Sequence, residues 1–489
     1  MKKSILFVVP MLALSAVNLA ACGDTPVTPG PSGDRVKIRV DSSFGKAFQE
    51  TLQRFADEFT AKDENKNIEI EINQISGSYP QVLTTEKNDI QVENDEWGDL
   101  VLCYPDHVVD YLEYRKAVNF DKFLNSTDPS IALSAETRND LTASAQSYFD
   151  VQYPRTGTYA MPFAMSSECM FYNPVLTTLT VPGINGGQRI TKEYINSLTW
   201  EELFDNFCPK ILAYNASLPE ADQFLVTSDD YCVLGYDEDG NAFITLAEQY
   251  GYGYTSLDED RYASLDFNNE NMRNLMKKWN GYKNNHYVLS MGSYNDKRTS
   301  ALFGARKALM CIGSTGGITY QQQAVTTGGG NFEIECAKIP QAAGQKDKLI
   351  MQGGSFCILS HNSADNEARQ LAAWKFYKYM IEADNCTIWS AQTGYAPIRN
   401  SVYASEDWAE VCDETGKSAI ELLTARNAAY VQTITDYMFT SPVFKGSAAA
   451  RTYVDGLFGE ILTADTATCT DAWVKSKFDA AENNIKNAM

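Results

Sequence analysis

Most residues in this chain that could do covalent or metal chemistry lack the neighbours that chemistry needs. His107, His286 and His361 are the only histidines, and none sits in an HExxH pattern or has a second ligand at metal spacing. There is no G-x-S-x-G nucleophile elbow. "DETGKS" imitates a phosphate loop, but the first glycine of that motif would fall at Val411, and no buried strand precedes it. "DEDGN" brings its glycine at the fourth position, where a calcium loop requires it at the sixth. Asp239-Gly240 reads instead as a hairpin turn. Paired carboxylates mean little in an acidic chain. No catalytic residue, metal or cofactor is therefore expected.

Binding chemistry is better represented. "GSTGGITY", around Ser314, puts free backbone N–H groups, a serine and a threonine at an expected helix start. Such donors, with the helix dipole, favour an anionic or polar oxygen; the plainer reading is an ordinary serine N-cap. "AQTGYAPIR" ends a long amphipathic stretch, "ARQLAAWKFYKYMIEADNCTIWS". Gly394 can take a positive φ and Pro397 prevents the helix from continuing. A plain turn has no need of Tyr395 or Arg399.

The elements that must position these residues alternate. "VKIRV" is a strand, and "FGKAFQETLQRFADEFT" places Phe44, Phe48, Leu52, Phe55 and Phe59 on one helical face. "NIEIEINQI" alternates at strand period, and "DLVLCY" is a buried strand after another helical run. This order predicts a parallel sheet covered by helices, with ligand beyond the carboxyl ends of the strands, at "DSSF", "SGSYP" and "YPDH". Further on, "MPFAMSSECMFYN", "KALMCIGSTGG" and "GGSFCILS" read as strands, and Thr199 with Glu202 forms a capping box. "LDFNNENMRNLMKKWNGY" reads as a helix stopped by Gly281, and the chain from about residue 405 is mainly helical by periodicity.

The first residues, "MKKSILFVVPMLALSAVNLAAC", have a basic head, a short apolar core broken by Pro10, and small residues before Cys22. This is a secretory signal rather than a spanning helix. "GDTPVTPGPSGD" cannot bury apolar surface and reads as a tether. About 450 residues remain, enough for two or three domains. Acidic residues outnumber basic ones 63 to 41, which argues against nucleic acid and against charge-driven binding to anionic lipid. Ten cysteines follow Cys22, many in apolar strand-like runs such as "LVLCY" and "SFCIL", with no C-x-x-C pair. They are expected to be mostly free thiols acting as small hydrophobes.

Leu-Ala-Ala-Cys resembles a bacterial lipobox, which implies a lipid on Cys22. The series "SGSYPQ", "MPFAMSSECMFYN", "TWEEL", "RKALMCIGSTGG", "IMQGGSFCI" and "TGYAPIR" resembles, in the same order, the extracellular solute-binding proteins of ABC importers. The likeness is to the group holding maltose-, multiple-sugar- and glycerol-3-phosphate-binding proteins, and most of all to the last. It covers nearly all of the chain after the tether. It implies an α/β fold of two lobes, a hinge crossed more than once, and a ligand in the cleft. The expected layout is a signal over 1–21, a tether over 22–35, one lobe over 36–165 and 353–388, and a second over 166–352 and 389–489. Hinge segments are expected near 164–167, 353–354 and 390–394. The resemblance implies an extracytoplasmic, membrane-anchored monomer that delivers a carbohydrate-type solute to permease subunits.

The resemblance also assigns site residues. Tyr395 is expected to face the cleft with an exposed ring suited to the apolar face of a sugar or glycerol. Tyr79 matches a ligand-contacting tyrosine, Ser166 a hydroxyl position with Ser167 beside it, and Ser314 a serine near a helix N-terminus. Gly353 and Gly354 match a backbone position that approaches ligand closely, and Arg451 a phosphate-facing arginine. Arg399 is absent from many members and reads as structural. Where the phosphate-binding members carry an acid, this chain has Pro105, with Asp106 next to it. Asp237, Glu238 and Asp239 would repel a phosphate if they faced the cleft, and Glu168 directly follows the two serines. A neutral saccharide and a phosphorylated polyol both remain open. The alternatives are a lipid-anchored glycan hydrolase, which needs two carboxylates about 5–9.5 Å apart, and a surface adhesin without a small-molecule cleft.

Overall fold

The computed structural model describes residues 35–228 and 230–489. The expected signal segment, Cys22 and all but the last residue of the expected tether lie outside the described residues. The described chain divides into two compact units: 35–165, 353–409 and 443–445 in unit 1, and 166–352, 410–442 and 446–489 in unit 2.

Unit 1 is built on a five-stranded sheet in the order Ile68–Gln74, Val36–Ser42, Leu100–Cys103, Gln352–Ile358, Met161–Ser166. The first three strands are parallel, as the strand–helix alternation implies. Ile68, Ile70 and Ile72 are buried while Glu69, Glu71 and Asn73 stay partly open, so this outer strand is one-sided. Strand Gln352–Ile358 runs antiparallel to Leu100–Cys103, with Ser355 opposite Cys103. Gly353 and Gly354 therefore enter the sheet at the end where the parallel strands finish. Helix Lys46–Thr60 buries Phe48, Leu52, Phe55 and Phe59. The long amphipathic stretch forms two helices, Asn366–Met380 and Ala383–Thr393, rather than one. Gly394 ends the second with φ 78°, its N–H donating to the Ser390 carbonyl at 3.0 Å. Residues 389–409 stay with unit 1, which differs from the lobe assignment expected for them. The reason is packing: Trp389 and Tyr395 join Phe44 and Phe48 in one aromatic cluster.

Unit 2 has a second five-stranded sheet, in the order Glu335–Ala337, Glu168–Tyr172, Met310–Ser314, Leu234–Tyr236, Val288–Ser290. Its last three strands are parallel, and Glu168–Tyr172 is antiparallel to both its neighbours. Helices Asp239–Gln249, Glu270–Asn284, Ser447–Thr463 and Asp471–Lys486 complete the core around Trp200, Trp279 and Phe458. Two local readings are corrected. Gly281 does not stop its helix, which runs on to Asn284. Asp239-Gly240 is not a hairpin turn but the first turn of a helix, where the Asp455 carboxylate accepts the Gly240 N–H at 2.8 Å.

The ten cysteines beyond Cys22 are all free thiols, and all but Cys412 are buried. Among the described residues no helix is long and apolar enough to cross a membrane.

Candidate functional site

In unit 1 the expected residues converge where the three parallel strands end. Ser78 caps helix Tyr79–Gln91 through a box with Gln81, whose side-chain oxygen accepts the Ser78 N–H at 2.9 Å. Tyr79 is thereby fixed at the first helical position, just past strand Ile68–Gln74. Its ring stacks on Tyr104, with centroids 4.3 Å apart and planes 11° from parallel. Both rings are half-buried. Tyr104 is the first residue after strand Leu100–Cys103 and meets His107 edge-on at 5.3 Å. The Tyr79 hydroxyl lies 3.5 Å from that of Tyr395. Burial raises the Tyr79 phenol well above its ordinary pKa, and Tyr395 and Tyr104 add to the shift. The phenol stays neutral and can both donate and accept.

Tyr395 itself departs from expectation. Its ring is buried, 9% exposed, parallel to Trp389 at 6.0 Å and edge-on to Phe44 and Phe48. Pro397 and the bridge from the Ala396 N–H to the Met165 carbonyl, 2.6 Å, hold the turn against the sheet. Only the hydroxyl end of Tyr395 reaches the Tyr79 patch. Arg399 is structural, as read: its Nε donates to Asp140 at 2.6 Å.

Gly353 has φ 97°, a conformation that favours glycine. A Cβ on Gly354 would fall 2.2 Å from Leu102 Cδ1 and 3.0 Å from Tyr79 Cε1. The close approach seen at Gly354 is thus to the protein's own Leu102 and to the Tyr79 ring. Asp106 lies in the turn Pro105–His107 and is buried. Behind burial itself and Cys103, its charge helps to raise the Tyr148 phenol. It faces that interior rather than solvent.

In unit 2, Ser314 ends strand Met310–Ser314 and caps the short turn Thr315–Gly317, accepting the Gly316 N–H at 3.2 Å. Its hydroxyl also donates to Ser166 Oγ at 3.2 Å, so the two expected hydroxyls form a pair. Ser167 is otherwise engaged: fully buried, it donates to the Ile350 carbonyl at 2.9 Å. Its N–H meets Thr315 Oγ1 at 3.3 Å. Ser167 is a brace for the strand, not an open donor.

Glu168 points into the core of unit 2. Tyr236 donates to its Oε2 at 2.7 Å, Thr245 approaches at 3.4 Å, and Oε1 is buried without a hydrogen-bond partner. Burial pushes this carboxyl up to about 8. Asp237 accepts the Thr299 N–H and hydroxyl, and Glu238 pairs with Arg298 at 3.2 Å. Arg451 meets Asn241 at 3.1 Å, across the seam between helices Ser447–Thr463 and Asp239–Gln249.

Tyr104 was missed by the sequence reading. The topological rule that pointed to "YPDH" could have found it, since it is the first residue past its strand. Among the described residues no group of three His, Cys, Asp or Glu side chains is arranged to hold a metal ion.

Comparison with known proteins adds three findings. The profile of bacterial extracellular solute-binding proteins matches residues 54–412. Among solved structures the chain is similar to UgpB from Mycobacterium tuberculosis in complex with glycerophosphocholine, at 15% identity and TM-score 0.67, over 94% of this chain and 98% of that one. It is also similar to the GacH receptor of Streptomyces glaucescens, solved unliganded and with acarbose, at 15% identity and TM-score 0.65, over 92% and 99%. The Listeria monocytogenes ABC substrate-binding protein Lmo0181, in complex with cycloalternan, gives 15% identity and TM-score 0.61, over 92% and 97%. A search of curated proteins found no match. At these identities the structural likeness establishes the fold, the two-lobe α/β architecture of periplasmic binding proteins.

Proposed function

The chain belongs to the family of bacterial extracellular solute-binding proteins, and we propose that it is the lipid-anchored binding subunit of an ABC importer, capturing a carbohydrate-type solute for its permease. The observation that carries this reading is the Tyr79–Tyr104 stack, half-buried where three parallel strands end. A pyranose or glycerol presents C–H groups on one face and hydroxyls at its edge. Stacked phenols meet both, with ring faces for the carbons and hydroxyls for the rim. Within unit 2, Ser314 and Ser166 form a pair of neutral donors and acceptors of their own.

The charges favour an uncharged ligand. The residues gathered at the strand ends are phenols and hydroxyls, and the arginine matched to a phosphate contact meets Asn241 between two helices. A phosphate would need cationic or unspent backbone donors to offset its desolvation. We therefore place a neutral saccharide ahead of a phosphorylated polyol. No catalytic step is proposed. Cys22 would hold the protein at the outer face of the membrane, where a captured solute meets the permease.

The test is mass spectrometry of small molecules released by heating natively purified protein. A saccharide mass in stoichiometric amount supports the reading; a phosphate ester would reverse the order of ligands; a non-carbohydrate ligand would overturn it.

A further inference from the structure

Helix Tyr79–Gln91, which carries the patch tyrosine at its start, buries four side chains: Val82, Leu83, Glu86 and Ile90. Three are apolar; the fourth is a fully buried carboxyl. Glu86 stands two helical turns, about 10 Å, after Tyr79 and on the same side of the helix. Its Oε2 accepts the Gly98 N–H at 2.8 Å. Its Oε1 is buried, and no N–H or O–H among the described residues reaches it. What lies within hydrogen-bond reach of the Glu86 carboxyl is another carboxylate, that of Asp41, also fully buried, near the end of strand Val36–Ser42. Gly98 lets the two approach: a Cβ there would fall 2.9 Å from Asp41 Oδ2.

Asp41 has its own cation. Both its oxygens accept from Arg39 Nε at 2.9 Å, and Asn73 Nδ2 donates to its Oδ1 at 2.8 Å. Arg39 is also faced by Glu71 and, at 3.9 Å, by Glu96, so several acids share its one charge. Asp99, next to Gly98, is ion-paired with Arg369 at 2.6 Å. The other titratable groups facing Glu86 are the Tyr111 phenol and the Cys357 thiol, each raised first by burial and in part by Glu86, and so neutral. Two carboxylates in contact in a dry site cannot both be ionised. Asp41 holds the ion pair, so the proton falls to Glu86. Burial, then Asp41, raises the Glu86 carboxyl well above its ordinary range, against smaller pulls from the Gly98 N–H and Arg39.

We propose that Glu86 is a positioning residue for the tyrosine patch: as a neutral acid it donates its proton to Asp41 and so docks the helix that carries Tyr79. With the proton gone, two like charges would meet between helix and sheet, and the helix would lose its polar clamp. The docking is therefore complete at low pH and weakens as pH rises through the folded-state value of Glu86. That Tyr79 meets a solute is the reading proposed above; the lock can fail while that reading stands, because its test uses no solute.

Glu86→Gln separates the lock from mere packing. Its amide can donate to Asp41 and accept from Gly98 as the neutral acid does, but it has no proton to lose. Glu86→Leu fills the space without a donor. The infrared difference spectrum at pH 7, wild type minus Glu86→Gln, should show the C=O stretch of a neutral carboxylic acid; a carboxylate band in its place would overturn the proposal. Amide hydrogen exchange of residues 79–91, corrected for the intrinsic effect of pH and referred to helix Lys46–Thr60, reads the docking. Wild type and Glu86→Gln should be equally protected at pH 7, and Glu86→Leu at least tenfold less. At pH 9 the wild-type helix should lose protection while that of Glu86→Gln does not. The same pH profile in wild type and Glu86→Gln, or full protection in a folded Glu86→Leu protein, would each contradict a proton lock.

Discussion

The hydroxyls of Tyr79 and Tyr395 face each other 3.5 Å apart, yet the two rings stand in different surroundings. Tyr79 is half-buried against Tyr104, whereas Tyr395 is packed among Trp389, Phe44 and Phe48. One ring is available to a solute; the other is core that delivers a hydroxyl to the patch.

Tyr395→Ala should therefore cost about 3–5 kcal/mol of stability, the range for removing a buried aromatic ring. Tyr395→Phe should keep the stack and change stability far less, while weakening ligand binding through the lost hydroxyl. Denaturant unfolding of both variants checks this. A Tyr395→Ala protein as stable as the wild type would show that the ring is not part of the core.

Glu168 gives a dependence on pH. Its folded-state pKa, about 8, lies above the ordinary carboxyl value of 4.5, so the folded state holds the proton more tightly than the unfolded one. Stability from this group is fully present below about 4.5 and falls as pH rises toward 8. Glu168→Gln should keep an acceptor for Tyr236 and remove that fall. The wild-type minus mutant difference in unfolding free energy, measured from pH 5 to 9, should slope downward. A flat difference would contradict the buried, proton-holding carboxyl.

The thiols offer a simple count. In native protein a thiol reagent should react first with Cys412, the one cysteine beyond Cys22 that is not buried. Unfolding without reductant should expose all ten. Fewer than ten would mean that some pair in the exported protein.

Cys22→Ala should move the protein from the membrane to the aqueous fraction. An unaltered, lipid-free wild-type protein in the aqueous fraction would rule out the anchor.

The regular elements were legible because burial imposes period. Ile68, Ile70 and Ile72 alternate because one face of their strand is covered, and Phe48, Leu52, Phe55 and Phe59 recur because one helical stripe is. Tyr79 and Ser314 were legible because both stand next to a strand end and a helix start, where the topology opens. What could not be read was which polar groups the fold itself consumes. Ser167 spends its hydroxyl on a carbonyl 183 residues away, and nothing local to "MSSE" reveals it. Gly-Tyr-x-Pro looks the same whether the ring faces solvent or three other aromatics. Asp239-Gly240 resembles a turn because Asp favours helix caps as well as hairpins, and the deciding partner, Asp455, comes from a distant helix. Gly281 was overweighted, since a glycine inside a well-packed helix costs only about 1 kcal/mol.

The central claim is that the half-buried tyrosine pair holds a carbohydrate-type solute. It is tested most directly by a thermal-shift screen of saccharides and glycerol phosphates against wild-type, Tyr79→Ala and Tyr104→Ala proteins, followed by titration of any hit. The account predicts that at least one saccharide stabilises the wild-type protein. Each alanine variant should bind it about 1–3 kcal/mol more weakly, with little change in unliganded melting temperature. Full affinity retained in both variants, or stabilisation by none of these solutes, would contradict it.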